Sequence, residues 1–411
     1  MAPTLRSSYS LLLRSLSSGS RVTSYATHMR KPVLIPEEPN RIQVCYQPRH
    51  ITSTSSACSG TASLRSSLDC DSVSDVDWNN IGFKARETDQ MFVMKCNANG
   101  EWHRGQLEPY GVLKLSPSAG VLNYGQGLFE GLKTYRTEDG RLLLFRPEEN
   151  ANRMILGAQR MCMPAPSVHM FVDAVKQTVI ANKRWVPPVG KGSLYLRPLL
   201  IGSGPVLGLS QSPEYTFLVY AAPVGNYFKE GPDPIHLKVE DMYSRAVHGG
   251  TGGVKTICNY APVLKAQLAA KKEGFTDVLY LDAVERKYIE EVSSCNIFIV
   301  KGNVISTPEA RGCILPGVTR KSVMDIAQGL GYKVEERKVH INEVIDADEA
   351  FCTGTAVVLA PVGSITYKDT RVSFPKQKVE QHERVASNLY KLLTNLQMGK
   401  VPDTRGWTME V

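Results

Sequence analysis

Glu291-Val292-Ser293-Ser294-Cys295-Asn296-Ile297-Phe298 is the most informative segment of this chain. Two further segments follow it, Ile305-Ser306-Thr307 and Leu315-Pro316-Gly317-Val318-Thr319-Arg320. Apolar residues at 297–300 and 303–306, on either side of a Lys301-Gly302-Asn303 turn, predict two strands. The pattern from Thr319 predicts a helix that stops at Gly331. A carboxylate, a strand pair and a helix start in this fixed order arise by chance far less often than one short motif.

Hydrophobic patterns elsewhere predict a mixed α/β protein. Residues 142–145 and 215–220 are expected to form buried strands, and residues 277–282 another. Phe171, Val175 and Val179 fall on one face of a predicted helix, and a further helix is expected near the C-terminus, with Val385, Leu389, Leu392 and Leu396 on one side. The chain of 411 residues is long enough for two domains after a leader.

The predicted domain boundaries follow changes in composition. A Ser-rich bias ends before Trp78, which places the leader at residues 1–74. The segment 226–234 contains Gly231, Pro232 and Pro234 between apolar runs and predicts a linker. We therefore expect a small α/β domain at 75–225 and a large domain at 235–411.

Composition excludes several classes of protein. No run approaches the roughly 18 apolar residues of a membrane span, so a soluble protein is expected. The net charge of +8 lies mostly in residues 1–70, which hold eight basic and three acidic side chains, and this does not indicate a nucleic-acid surface. The nine cysteines show neither a CxxC pair nor zinc spacing, so we expect reduced, mostly buried thiols and no metal site.

The leader is rich in Ser and Arg, and its first acidic residue is Glu37. This composition is typical of an organellar transit peptide that is removed on import. A disordered tail without a targeting role is the alternative. The Ser/Thr-rich stretch at 52–67 and the length of the leader favour the chloroplast, whereas arginine-spaced leucines at 5–16 suit the mitochondrion.

Lys255 follows the glycine-rich segment Gly249-Gly250-Thr251-Gly252-Gly253-Val254. An amine close to backbone and partly out of water has a lowered pKa, which suits Schiff-base formation. Taken alone, Lys255 is better explained as a surface lysine after a flexible turn. A nucleotide-binding loop is rejected, because Val254 stands where G-x-x-x-x-G-K-[ST] needs its last glycine, and Pro262 interrupts the helix that would follow.

These segments together resemble the signature of class IV pyridoxal-phosphate aminotransferases. Gly253-Val254-Lys255, with Asn259-Tyr260 shortly after, resembles the lysine region of branched-chain amino acid aminotransferases, and most closely that of the plant organellar members. The resemblance extends from about Trp78 to Trp407. It implies their two-domain fold, fold type IV, a homodimer, and pyridoxal 5'-phosphate bonded to Lys255.

The resemblance also implies which residues bind the cofactor. Glu291 would lie against the pyridine nitrogen and keep it protonated. Only Glu291 has Asn296 five residues on, so Glu290 is interpreted as a solvated neighbour. Tyr260 would hydrogen-bond the phenolate oxygen. The phosphate would be held by Arg153, Val318, Thr319 and Thr355, of which Val318 and Thr319 open a helix.

Substrate recognition is implied for a second set of side chains. Phe129, Tyr195, Arg197 and Ala356 would contact the substrate, with Arg197 serving the larger dicarboxylate. Tyr124, Leu207 and Leu209 would reach in from the partner subunit. Each of these residues is equally well explained by packing, because aromatic and leucine side chains fill cores by default.

The implied reaction is a ping-pong transamination of leucine, isoleucine or valine with 2-oxoglutarate, in which Lys255 acts as nucleophile, base and acid. A D-amino acid transaminase or an aminodeoxychorismate lyase of the same fold is the alternative. A binding protein that kept the fold without catalysis is a third, which the set Lys255, Tyr260, Glu291 and Arg153 argues against. The preferred branched-chain substrate and the physiological direction are not fixed by the sequence.

Overall fold

Strands from the first half of the described chain form the first of two sheets. The computed structural model describes residues 76–225, 234–375, 380 and 384–411, so the predicted leader and nearly all of the predicted linker lie outside them. Every described residue belongs to one unit, Ser66–Val411. The strands are β1 (Gln90–Asn97), β2 (Gln106–Pro109), β3 (Gly127–Phe129), β4 (Leu132–Arg136), β5 (Leu142–Phe145), β6 (Ser193–Gly202) and β7 (Glu214–Val224).

These strands pair antiparallel in the order β5-β4-β6-β7-β1-β2, with β3 beside β6. The helices of this part are α1 (Gly120–Tyr124), α2 (Pro147–Arg160) and α3 (Val168–Ala181). Ser167 caps α3 by accepting a hydrogen bond from the amide of Met170. The face predicted from Phe171, Val175 and Val179 is fully buried, in the same core as Phe217.

The second sheet contains ten strands. They are β8 (Ile235–Glu240), β9 (Asp277–Leu281), β10 (Tyr288–Val292), β11 (Asn296–Lys301), β12 (Val304–Thr307), β13 (Lys333–Glu336), β14 (Val339–His340), β15 (Glu349–Gly354), β16 (Val358–Tyr367) and β17 (Thr370–Ser373). Their order is β13-β12-β11-β15-β16-β8-β9-β10-β14, with β17 beside β16. A further pairing joins β10 to β11, so six strands form a closed ring.

Apolar side chains pack on both surfaces of this ring. One core includes Leu237, Leu279 and Ile297, and another joins Phe298 and Phe351, whose rings stack with centroids 4.9 Å apart, to helices of this part. The helices are α4 (Leu264–Lys272), α5 (Val318–Gly329), α6 (Ile341–Asp346) and α7 (Val385–Gln397). The predictions of strands at 142–145, 215–220, 277–282, 297–300 and 303–306, and of the helices at Thr319 and the C-terminus, are confirmed.

The last strand, β18 (Thr408–Glu410), follows the helices of the second part of the chain but belongs to the first sheet, where it pairs antiparallel with β5. Trp407 precedes it and packs against Phe145, while the guanidinium of Arg146 lies 4.5 Å from the Trp407 ring centroid. The sequence did not predict this strand. The division into domains at 75–225 and 235–411 stays a prediction.

The cysteine prediction is only partly right. Of the six cysteines in the described residues, all free, Cys96 and Cys352 are buried, but Cys162 and Cys258 are exposed. Among the same residues no helix is long and apolar enough to cross a membrane.

Asn182, fully buried at the C-terminal end of α3, ties that helix to the first sheet. Its side chain accepts from the amides of Asp89 and Gln90 and donates to the carbonyls of Gln90 and Thr178, at 2.8 to 3.0 Å. Asn182→Ala should lower the free energy of unfolding by about 3 kcal/mol, because buried groups lose their partners.

Urea unfolding measures this loss. The control is Asn99→Ala at an exposed position, where a change below about 0.5 kcal/mol is expected. Equal effects of the two substitutions would contradict the role given to Asn182.

Candidate active site

A cavity of about 750 Å³ lies between residues of the two sheets. The first sheet contributes Phe129, Tyr195 and Arg197, and the second part of the chain contributes the remaining functional side chains, among them Lys255, Tyr260, Thr355 and Ala356. A narrower cavity of about 40 Å³ adjoins it at Lys255, Tyr260 and Thr355, and its other lining residues include Arg153, Glu291, Val318 and Thr319. Nearly all of the predicted cofactor and substrate residues therefore meet at one place.

Glycines before Lys255 allow the chain to pass close to neighbouring backbone. A Cβ on Gly252 would lie 2.3 Å from the carbonyl oxygen of Cys313, so no larger residue fits there. The carbonyl of Lys255 accepts a hydrogen bond from the amide of Phe129 at 3.1 Å, which fixes this segment to the first sheet. Both contacts hold the amine at the junction of the two cavities.

The amine of Lys255 donates to the hydroxyl of Tyr260 at 3.1 Å and lies 4.5 Å from the Phe129 ring centroid. Burial, and next the positive charge of Arg153, lower the pKa of Lys255 to about 8. Burial also raises the pKa of Tyr260 to about 12, so its phenol keeps its proton and can donate a hydrogen bond. Lys255 is therefore not the surface lysine of the simpler interpretation.

Glu291 is buried on β10, and its carboxylate accepts hydrogen bonds from three neighbouring residues. Its Oε1 accepts from Arg245 Nη1 at 2.5 Å and from the amide of Leu315 at 3.2 Å, and its Oε2 accepts from Asn296 at 3.4 Å. Burial raises the pKa of Glu291 to about 7, and Arg245 opposes this rise. The side chains of Arg245 and Glu291 are only 1% and 3% exposed, so water screens their ion pair little and the pair favours the ionised form of Glu291.

Glu290 corrects one prediction from the sequence. It is 8% exposed rather than solvated, and its Oε2 has no hydrogen-bond partner among the described residues. Burial, and next the charge of Glu291, raise the pKa of Glu290 to about 7. The error has a physical cause: β10 is covered on both faces, so both neighbouring carboxyl groups are buried.

Arg153 is held by a carboxylate that sequence analysis assigned no role. Its Nε and Nη2 donate to the two oxygens of Glu130 at 2.8 and 2.7 Å, and its Nη1 donates to the carbonyl of Pro316 at 3.1 Å. Asn150 also donates to Glu130 at 2.8 Å. Glu130 is fully buried, so it orients Arg153 and cancels much of its charge.

The start of α5 supplies a second group of donors at the same end of the narrow cavity. Gly317 precedes Val318 without any side-chain cap, so the first-turn amides need acceptors from outside the helix. A Cβ on Gly317 would lie 2.3 Å from Asn296 Oδ1, and Asn296 donates to the carbonyl of Leu315 at 2.9 Å. Thr355 lines the same cavity and donates to the carbonyl of Gly131 at 3.1 Å. The arrangement suits a phosphate group.

Four of the predicted substrate residues line the large cavity: Phe129, Tyr195, Arg197 and Ala356. Gly131 makes room for Tyr195, because a Cβ there would lie 2.0 Å from the Tyr195 hydroxyl oxygen. Arg197 lies 4.8 Å from the Phe129 ring centroid, and its buried Nε has no partner among the described residues. A cationic donor thus faces a largely aromatic wall.

Tyr124, Leu207 and Leu209 do not line this cavity in the described part of the single chain. The hydroxyl of Tyr124 donates to the carbonyl of Leu207, and the two leucines are 92% and 86% exposed. Their predicted contact with substrate from a partner subunit stays a prediction.

Arg245 and Glu130 are the functional side chains that sequence analysis missed. Each pairs with a residue that it did identify, across 46 positions for Arg245 and 23 for Glu130. The available signal was chemical: a buried carboxylate or guanidinium requires a partner of opposite charge.

Comparisons with known proteins agree with this geometry. The family model for amino-transferase class IV matches residues 127–365. Branched-chain amino acid aminotransferase 2, chloroplastic, of Humulus lupulus is 65% identical over 339 residues, which cover 82% of each chain. Branched-chain-amino-acid aminotransferase 1, mitochondrial, of Arabidopsis thaliana is 57% identical over 337 residues, 82% of this chain and 87% of that protein.

A solved structure matches over nearly its whole length. The branched-chain aminotransferase of the thermophilic archaeon Thermoproteus uzoniensis, crystallised with norvaline, is 27% identical with a TM-score of 0.64. The match covers 78% of this chain and 99% of that structure. Another solved branched-chain amino acid aminotransferase, also 27% identical and with a TM-score of 0.66, was crystallised with pyridoxamine 5'-phosphate.

Without Arg245, the buried Glu291 carboxylate would have no counter-ion, and the folded protein should be less stable. Arg245→Met is expected to lower the free energy of unfolding by about 3–5 kcal/mol. The loss should grow from pH 6 to pH 8, because the charge of Arg245 lowers the pKa of Glu291. Without Arg245 the folded carboxyl keeps its proton to higher pH than in the wild type, so unfolding of the variant releases a proton and becomes easier as the pH rises. Arg245→Met/Glu291→Gln should recover part of the loss.

Urea unfolding of the wild type, of Arg245→Met and of the double variant, at pH 6 and at pH 8, measures these differences in the free energy of unfolding. Arg184→Met is the control, since that arginine forms an exposed pair with Asp89 and should contribute no more than about 1 kcal/mol. A double variant less stable than Arg245→Met would show that the two side chains do not depend on each other.

Proposed function

Since the chain belongs to the class IV aminotransferase family, we propose that it transfers the amino group of leucine, isoleucine or valine to 2-oxoglutarate. The products are the branched-chain 2-oxo acid and glutamate. One observation carries the proposal: the Lys255 amine, the Glu291 carboxylate and the phosphate-type donors at Arg153 and Val318 all line a single narrow cavity. The names of the relatives support branched-chain substrates over those of a D-amino acid transaminase or an aminodeoxychorismate lyase.

The residues that line the narrow cavity have the chemistry to hold pyridoxal 5'-phosphate, the cofactor of this enzyme family. A nucleophilic amine lies at the junction with the large cavity, a buried carboxylate lines the narrow one, and uncapped helix amides of α5 lie at one end. Lys255, Tyr260 and Glu291 would hold the ring, while Arg153, Val318, Thr319 and Thr355 would hold the phosphate. Bound there, the cofactor supplies a ring that withdraws electrons from the substrate Cα.

Each residue then has a separate task. With its pKa lowered to about 8, a sizeable fraction of Lys255 is deprotonated at slightly alkaline pH, so Nζ can attack a carbonyl carbon and later accept the proton from the substrate Cα. Tyr260, which accepts a hydrogen bond from Nζ, keeps the amine near the ring. Glu291, whose ionised form is stabilised by Arg245, would favour a proton on the ring nitrogen.

The large cavity separates the substrate's side chain from its charges. Phe129, Tyr195 and Tyr220 provide an aromatic wall for a branched aliphatic group. The backbone at Thr355 and Ala356 would take the α-carboxylate, and Arg197 the second carboxylate of glutamate. Tyr124, Leu207 and Leu209 of a second copy would complete the cavity in a homodimer.

The location follows from the relatives and the leader. Similar proteins occur in the chloroplast and in the mitochondrion, and the leader at residues 1–74 has the composition of a transit peptide. We therefore place the protein in one of these two organelles.

Lys255→Ala should reduce transamination of leucine with 2-oxoglutarate to background, because the nucleophile and the proton carrier are lost together. Borohydride reduction of the protein with bound pyridoxal phosphate should add the cofactor's mass to the wild-type chain but not to the variant. Lys272→Ala, on the exposed end of α4, is the control and should behave as wild type. A mass increase of one cofactor in Lys255→Ala after reduction would contradict the proposal.

Arg197→Met should impair the dicarboxylate half-reaction selectively. A charge-assisted hydrogen bond contributes about 1.5–3 kcal/mol, so the KM for 2-oxoglutarate should rise at least tenfold. The KM for leucine should change less than about threefold, since its side chain meets aromatic groups. Steady-state kinetics of both substrates decides, and an equal rise in both would point to general disruption of the cavity.

A further inference from the structure

Lys133 is a buried lysine to which the proposed function gives no task. It lies on β4 and is 8% exposed. Its amine donates to the carbonyl oxygen of Ala356 at 2.8 Å. Burial lowers the pKa of Lys133 to about 7. Lysines are almost never buried without a counter-ion, so this position calls for an explanation.

Three buried arginines, by comparison, are paired with carboxylates. Arg153 pairs with Glu130, Arg245 with Glu291, and Arg320 with Glu336. Among the described residues, by contrast, no carboxylate lies within salt-bridge distance of Lys133. The group that holds the Lys133 amine is instead the Ala356 carbonyl, in the turn at residues 355–357.

A small cavity connects Lys133 to that turn. Its volume is about 20 Å³, and it is lined by Lys133, Asn150, Val318, Thr319 and Thr355. The turn joins β15 to β16, and on its other side Thr355, Ala356 and Val357 line the large cavity. Lys133 thus contacts the back of a turn whose front faces the substrate.

Peptide geometry links the two sides. The peptide between Ala356 and Val357 is trans, so the Val357 N–H points opposite to the Ala356 carbonyl. Since Lys133 holds that carbonyl, the N–H is directed away from Lys133. Val358, at a φ of 60°, limits how the turn can rearrange.

We propose that Lys133 is a positioning residue for carboxylate recognition: by holding the Ala356 carbonyl, it aims the backbone amides of the 355–357 turn at the substrate's α-carboxylate. The inference rests on the proposed function, since it presumes that an amino acid or 2-oxo acid occupies the large cavity.

The experiment compares a carboxylate with its neutral analogue. Calorimetry on the cofactor-loaded protein measures the dissociation constants of 4-methylvalerate, which has leucine's side chain and carboxylate, and of 4-methylpentanamide, which lacks the charge. Lys133→Met should weaken 4-methylvalerate at least tenfold and the amide less than threefold. Lys133→Arg, which keeps a cationic donor, should recover most of the carboxylate affinity. Lys272→Met controls for net charge and should bind both ligands as wild type does.

Kinetics provides a second measurement. Lys133→Met should raise the KM for leucine more than it lowers kcat, because it affects a binding contact rather than the proton transfer at Lys255. Equal weakening of the acid and the amide, or no weakening of the acid, would overturn the role of Lys133. Failure of the wild-type protein to transaminate leucine would instead overturn the proposed function.

Discussion

The site depends on the pairing of Glu291 with Asn296, where β10 meets β11. A tight turn, closed by a hydrogen bond from the Val292 amide to the Cys295 carbonyl, brings the two strands together and closes the six-stranded ring. Asn296 then holds the Leu315 carbonyl and packs against Gly317, which places the start of α5. A single strand contact therefore sets the distance between the buried carboxylate and the helix amides.

Charge pairing explains why this interior can be polar. Arg245 with Glu291, and Arg153 with Glu130, bury four charges as two pairs with additional hydrogen bonds from Asn296 and Asn150. A buried pair costs little when every donor and acceptor is used, whereas one unpaired ion is expensive. Lys255 is left outside these pairs, and burial, followed by the positive charge of Arg153, lowers its pKa to about 8.

Local patterns predicted much of this fold, whereas the candidate site came from the family resemblance. The strands around Lys301-Gly302-Asn303 could be predicted because each rests on a short segment, and Lys255 and Glu291 were singled out because their segments resemble a family signature. Arg245, Glu130 and Lys133 were not, because their roles come from contacts across 46, 23 and 223 positions. Glu290 was misjudged because the motif spacing that selects Glu291 carries no information on burial, and both faces of β10 are covered.

The first sheet donates two hydrogen bonds that fix the site to the second part of the chain. The amide of Phe129 in the first sheet donates to the Lys255 carbonyl, while Lys133 of the same sheet donates to the Ala356 carbonyl. The Lys255 segment and the turn at residues 355–357 are thus both fixed from the first sheet, although both belong to the second part of the chain. Because β18 also returns to the first sheet, separation of the two parts would disturb the amine, the turn and the C-terminus together. The geometry of the reacting groups is therefore a property of the assembled pair of sheets, which neither sheet can hold alone.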